Sequence, residues 1–156
     1  MHPRTEAFRD RARDEHDIKI EVREFPEGTK TAADAAEAVG CEVAQIASSI
    51  VMDADGDLVV VVTSGANRVN EDRIAEVVGA ESVEMADADG IRETLGWSIG
   101  GVPPICHDSE VPVLFDETLL EHDVVWTAAG TPEAVFPIDP EELHSLAGAR
   151  PTDVVD

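Results

Sequence analysis

Leu58-Val59-Val60-Val61-Val62 is an unbroken, largely β-branched apolar run, the pattern of a strand buried on both faces. Ile46 to Met52 is a second strand, apolar apart from Ser48 and Ser49. The acidic stretch Asp53-Ala54-Asp55-Gly56-Asp57 between them predicts a hairpin turn. Ile18, Ile20 and Val22 alternate with Lys19 and Glu21, which predicts a half-buried strand. Val83–Met85, Val111–Phe115, Val124–Thr127 and Val135–Ile138 supply further short strands. Helices are marked by their ends. Pro3 to His16 is rich in Glu, Arg and Ala, with Phe8 and Ala12 four apart. Thr31 opens a second helix that Gly40 closes, and Asn70 with Glu71 and Asp72 opens a third that Gly79 closes. Asp87 opens a short one ending near Leu95-Gly96. The last has Asp139 as N-cap, Pro140 at N1, Glu142 at N3 and Gly148 as its stop. Pro26-Glu27-Gly28 reads as a turn, and Pro151 to Asp156 as a loose tail.

Hairpins broken by short helices, without a regular βαβ repeat, disfavour a doubly wound sheet. The expectation is a single α+β domain spanning residues 1–156, built on a curved mixed, barrel-like sheet surrounded by short helices. A chain of 156 residues can bury a real core. No apolar run approaches the ~18 residues of a membrane span, and the first residues are too polar for a secretory signal, so a cytoplasmic protein with no membrane partner is expected. Cys41 and Cys106 stand far apart and read as reduced thiols.

Charge changes this picture. Eleven basic residues face 34 acidic ones, a net −23. Residues 1–30 are nearly neutral, with seven basic and eight acidic groups, so the excess lies almost wholly in residues 31–156. Because the acidic residues interleave with periodic apolar segments, they form a folded acidic shell, which reads as adaptation to molar salt, where the Debye length is about 3 Å. A cationic partner is the rival explanation.

Side-chain catalysts are scarce. The Asp53–Asp57 stretch lacks the position-12 glutamate of a calcium loop, and Ser64 stands there. No Lys-Ser/Thr follows Gly100-Gly101, so it is no phosphate loop. The histidines His2, His16, His107, His122 and His144 have no metal-type spacing, so neither metal nor cofactor is expected. Cys106 and His107 are adjacent and poorly placed as a nucleophile and base. His107, just after Pro103-Pro104, is open to either a ligand-contacting or a solvent-facing role. One of Ser48 and Ser49 must face inward and find a partner; a backbone bond and a pocket-facing hydroxyl both stay open.

What remains is three small-residue turns at strand ends: Thr63-Ser64-Gly65-Ala66-Asn67-Arg68-Val69-Asn70, Ile99-Gly100-Gly101-Val102-Pro103-Pro104-Ile105 and Ala128-Ala129-Gly130-Thr131-Pro132. They are expected to converge on one cavity. With Ala44–Val51 and Val125–Thr127, these segments resemble the YbaK/EbsC family of prolyl-tRNA-editing, aminoacyl-tRNA deacylase domains. The resemblance covers roughly Pro3 to Asp153. It implies a compact α+β domain with a six- or seven-stranded mixed, barrel-like sheet, and hydrolysis of a wrong amino acid from the 3′ end of a tRNA. It implies a lysine where Ser48 stands and a glycine where Cys106 stands, and it carries over Gly100, Gly101 and Pro104 for shape.

The resemblance makes Ser48, Gly100, Gly101 and Gly130 the catalytic candidates, with backbone N–H groups near the glycines facing a developing oxyanion. Ser49, Thr63, Ser64, Gly65, Asn67, Arg68, Val102, Pro103, Pro104, His107 and Thr131 are the substrate-binding candidates. The implied partner is an aminoacylated tRNA 3′ end, with an aminoacyl-tRNA synthetase as a further candidate partner. Arg68 and Arg73 are scarce cations near the proposed site; pairing of Arg73 with Glu71 or Glu76 is its alternative role. A non-catalytic aminoacyl- or nucleotide-binding protein, or a synthetase-associated one, is the alternative that a serine in place of lysine leaves open.

Overall fold

The structure, a computed structural model, describes residues 1–25 and 31–156. The Pro26–Gly28 turn expected from sequence lies outside the described residues. Among those described, five α-helices and eight strands alternate in the order α1 (Pro3–His16), β1 (Arg23–Glu24), α2 (Ala32–Val39), β2 (Ile46–Ala54), β3 (Asp57–Ser64), α3 (Glu71–Val78), β4 (Val83–Met85), α4 (Ala88–Leu95), β5 (Val113–Asp116), β6 (Val125–Ala128), β7 (Ala134–Ile138), α5 (Pro140–Leu146) and β8 (Arg150–Thr152). Short 3-10 turns cover Val43–Gln45 and Glu117–Glu121. All strands join one mixed sheet of order β1-β7-β6-β2-β3-β5-β8, with β4 pairing β2 off that path. This is the expected α+β class.

The helix boundaries follow the caps. Thr31 accepts from the Asp34 N–H, Asn70 from Arg73, Asp87 from Gly90, and Asp139 from both Glu141 and Glu142. Gly40, Gly79 and Gly96 end their helices in the left-handed region. The β2–β3 hairpin is the longest ladder, running from Ala47 opposite Ser64 to Ala54 opposite Asp57. Asp55 and Gly56 both adopt positive φ at its tip, as a two-residue primed turn requires. The tip is tied down further: the Asp55 carboxylate accepts from the Glu81 and Ser82 N–H groups, which brings β4 alongside β2.

Two expectations are corrected. Ile18 to Val22 keeps its alternating burial, with Ile20 7% exposed, but makes no ladder; pairing starts only at Arg23, opposite Val135. Alternation reports which side meets the core, and a chain can satisfy it without a strand partner. The tail is not loose. β8 runs parallel to β5, Val154 and Val155 are buried, and Val155 bridges to Val69. Arg73 pairs with Asp153 of that tail rather than with Glu71 or Glu76. The main core gathers Phe8, Val60, Val62, Leu95, Trp97, Phe115 and Phe136. Phe8 meets Trp97 edge-on at 5.9 Å and Phe136 at 5.4 Å, so α1 is pinned to the sheet through one aromatic cluster.

Candidate functional site

β2 and β6 pair in parallel over only two positions, Ile46 with Trp126 and Ala47 with Thr127. The next residues, Ser48 and Ala128, line a cavity of about 230 Å³ where that pairing stops. The start of α2 contributes Thr31, Ala32 and Ala35, and β7 contributes Ala134 and Val135. Gly100 comes from the second turn, and Thr131 and Pro132 from the third. The walls are mostly alanine, isoleucine and valine with a few hydroxyls, a lining that admits a small side chain and gives it few polar partners.

Glycine is required here for contact between turns. A Cβ on Gly101 would lie 2.6 Å from Thr131 Cα, so the second and third turns touch backbone to backbone. Gly101 donates its N–H to Ser98 O at 3.0 Å, so that group is not open to an oxyanion, whereas among the described residues no backbone bond takes the Gly100 N–H. Gly100 has φ +87°. Gly130 faces the core: a Cβ there would lie 2.9 Å from Arg4 O and 3.0 Å from Trp97 Cζ3. Thr131 is buried, and its hydroxyl meets that of Thr5 at 3.4 Å and accepts from the Glu133 N–H.

The first turn does not line this cavity, so the expected convergence holds for two turns of the three. Gly65 packs against α2 and the turn before β2, where a Cβ would lie 2.6 Å from Ala32 Cβ and 2.7 Å from Val43 O. Thr63, Ser64 and Asn67 instead surround the carboxylate of Asp116, which is fully buried. Asp116 Oδ2 accepts from Thr63 Oγ1 at 3.2 Å, Ser64 N at 3.0 Å and Asn67 Nδ2 at 2.9 Å, while Oδ1 accepts from Thr118 N and Oγ1. Burial works to raise this carboxyl, but the bonds from Asn67, Ser64 and Thr118 win and hold it below the usual carboxylate range. Arg68 is exposed beside the C-terminus, its carbonyl accepting from the Asp156 N–H.

Val102, Pro103 and Pro104 are buried and fill the core rather than the cavity. His107 is held by that loop: its Nε2 lies 2.7 Å from Pro103 O, and burial pushes its pKa down. Pro104 and His107 line a different cavity, shared with Cys106 and the end of α1. Ser48 is the serine on the first cavity; Ser49, on the other face of β2, has a buried hydroxyl with no partner among the described residues. Of the two roles left open for these serines, Ser48 takes the pocket-facing one, and among the described residues no backbone group bonds the Ser49 hydroxyl.

Two residues that line the cavity, one cation beside it and the aspartate behind the first turn are not nominated from the sequence. Thr127 is 1% exposed, lines the cavity and leaves its hydroxyl without a partner among the described residues. Trp126 lines the cavity, and the Arg23 guanidinium sits 5.2 Å from its ring centre. That places an exposed cation next to the cavity, on a strand whose partner, β7, is remote in sequence. Asp116, which organises the first turn, reads in the sequence as the ordinary end of a strand.

Comparison with known proteins bears on the fold and the family. The chain resembles the uncharacterized protein YwhH of Bacillus subtilis (strain 168), 29% identical over 83% of each chain. It is 36% identical over 76 residues to a proline–tRNA ligase of Lysinibacillus sphaericus (strain C3-41), covering 49% of this chain and only 13% of the ligase. A solved structure described as a proposed trans-editing enzyme for prolyl tRNA synthetase superposes with a TM-score of 0.92 at 35% identity, covering 100% of this chain and 99% of the other. The hypothetical protein APE2540 superposes with a TM-score of 0.85 at 26% identity, over 94% and 98% of the two chains. Residues 26–146 match the model of the aminoacyl-tRNA editing domain, and the chain belongs to that family.

Proposed function

We propose that this protein is a freestanding editing hydrolase of the prolyl-tRNA type, which removes a small mischarged amino acid from the 3′ end of a tRNA. The observation that carries the proposal is the small apolar cavity opened where β2 and β6 part, closed by Gly100 and Thr131-Pro132, in a chain with the editing-domain fold. The aminoacyl group enters the cavity, and its size excludes larger side chains. The Gly100 N–H faces the carbonyl oxygen as negative charge develops; one such donor is worth about 3 kcal/mol. Water, or the substrate's own ribose hydroxyl acting through a bound water, supplies the attack. The acyl–oxygen bond breaks, and the ribose oxygen takes up a proton. Ser48 and Thr127 offer hydroxyls to the amino acid.

The tRNA is polyanionic and the protein carries −23, so the enzyme reads the terminal nucleotides and makes few phosphate contacts. Arg23, stacked on Trp126 beside the cavity, serves as the cation for the terminal phosphate. The acidic shell keeps the protein soluble in a cytoplasm of molar salt, and the assay is therefore run in concentrated KCl. Hydrolysis of at least one mischarged tRNA, with Arg23→Glu raising KM and sparing kcat, is the expected result. Failure to hydrolyse any member of a panel of mischarged tRNAs retires the enzymatic reading.

The serine at position 48 gives the second reading, a binding protein without turnover, its specific support: a neutral hydroxyl stands where the family resemblance implies an ammonium. Ser48→Lys separates the two. Deacylation that appears only in the variant assigns the natural chain to binding, in association with a synthetase or alone.

A further inference from the structure

The second cavity, between the end of α1 and the loop after Pro104, shares no lining residue with the β2–β6 cavity. It measures about 350 Å³ and is lined by Glu15, His16, Cys106 and His107 among others. One ligand-type atom each from Glu15, His16 and Cys106 lies within 4.8 Å of the other two. We propose that this cluster is a zinc-type metal site, with the Cys106 sulfur, a His16 ring nitrogen and a Glu15 carboxylate oxygen as protein ligands. The cavity leaves the fourth position to water or a small ligand.

The donor set decides the metal. Calcium and magnesium take oxygen ligands, whereas one sulfur, one imidazole nitrogen and one carboxylate suit zinc, and three protein ligands with an open position are its usual non-structural arrangement. Around a tetrahedral zinc the ligand atoms stand about 3.5 Å apart, so the cluster contracts by about 1 Å at most. Glu15 is exposed and His16 half-buried on the last turn of α1, so both can adjust by side-chain rotation. That turn is also the negative end of the helix dipole, which favours a cation. Arg11 holds Glu15 through Oε2 at 2.7 Å and Asp108 at 2.8 Å, which leaves Oε1 as the oxygen for the ion, and its own like charge toward the ion is balanced by these two carboxylates.

Cys106 is held firmly. Its carbonyl accepts from Trp97 Nε1 at 2.9 Å, and it adopts φ +64°, a conformation that costs a cysteine energy and a glycine none. Without an ion, burial and then the Glu15 carboxylate push the thiol up to about 12, against the opposing pull of Arg11. Metal binding replaces the S–H bond with an S–metal bond, and the proton leaves to solvent.

The test uses chelator-treated whole protein in KCl, titrated with Co²⁺ and then Zn²⁺. Expected are one Co²⁺ per chain with a thiolate-to-cobalt absorption band, displacement of that band by Zn²⁺, and a rise in Tm with Zn²⁺. Cys106→Gly suits the local backbone, so it folds; it loses the band and the Zn²⁺-dependent rise in Tm. Cys41→Ser keeps both, and His16→Gln weakens Co²⁺ binding at least tenfold. Absence of a thiolate band, or a band and Tm shift that survive Cys106→Gly, overturns the proposal. Neither readout depends on deacylation, so the site stands or falls apart from the editing function.

Discussion

At the scale of single residues, the buried polar groups make the sharpest demands. Asp116 gathers donors from Thr63, Ser64, Asn67 and Thr118, and every one is aimed at a carboxylate. Asp116→Asn puts an NH₂ group among donors and leaves at least one unpaired, at a cost of about 2–3 kcal/mol. The folded carboxyl lies below its ordinary value of 3.8, so the stability it contributes is complete above that value and is lost as pH falls through the depressed folded one. Urea unfolding against pH checks both statements: the variant starts less stable and shows a flatter acid limb. Thr127 is the opposite case, a buried hydroxyl with nothing to bond among the described residues. Thr127→Val should stabilise the free protein by about 1 kcal/mol, because no bond is lost and an unpaired group is removed. The same change should lower kcat/KM for deacylation. A valine variant less stable than its parent would show the hydroxyl to be partnered.

At the scale of elements, the sheet is longer than its obvious strands. A run such as Leu58 to Val62 announces itself, but β8, Arg150-Pro151-Thr152, has no apolar pattern and joins the sheet only by pairing with β5. The residues after it, Val154 and Val155, are buried against Val69, Leu114 and neighbours in the second core cluster. Truncation after Ala149 removes two buried valines and an edge strand, and at about 1.5–3 kcal/mol for each buried side chain it should lower Tm by many degrees. Thermal unfolding that is unchanged in the truncated chain would place the tail outside the cooperative unit. The helices are the easiest elements to read, because Thr31, Asn70, Asp87 and Asp139 satisfy their own first-turn N–H groups, a local matter. Ile18 to Val22 misleads because burial alternates there without a partner strand.

At the scale of the whole molecule, charge governs the response to solvent. With a net −23, the folded chain repels itself at low ionic strength, and screening relieves that repulsion. Stability should therefore rise with KCl well beyond physiological concentration, as read by Tm across a salt series. A Tm that stays flat or falls would remove the halophilic reading and leave the cationic partner as the explanation of the charge. No helix among the described residues is long and apolar enough to cross a membrane, in line with the absence of any such run in the sequence.

The amino-acid order by itself determined the α+β class, the helix caps, the β2–β3 hairpin and the small-residue turns, because all of these are set by neighbours within a few positions. Ser48 and Gly100 could be nominated from those local patterns and from likeness to a family. Tertiary structure alone decided which turns meet. It sent Thr63 to Asn67 to a buried aspartate, joined Gly101 to Thr131, set Arg23 on Trp126, and brought Glu15 and His16 to Cys106. Each of these contacts links residues far apart in the chain, and such pairings depend on how strands order within a sheet, which no short stretch of residues encodes.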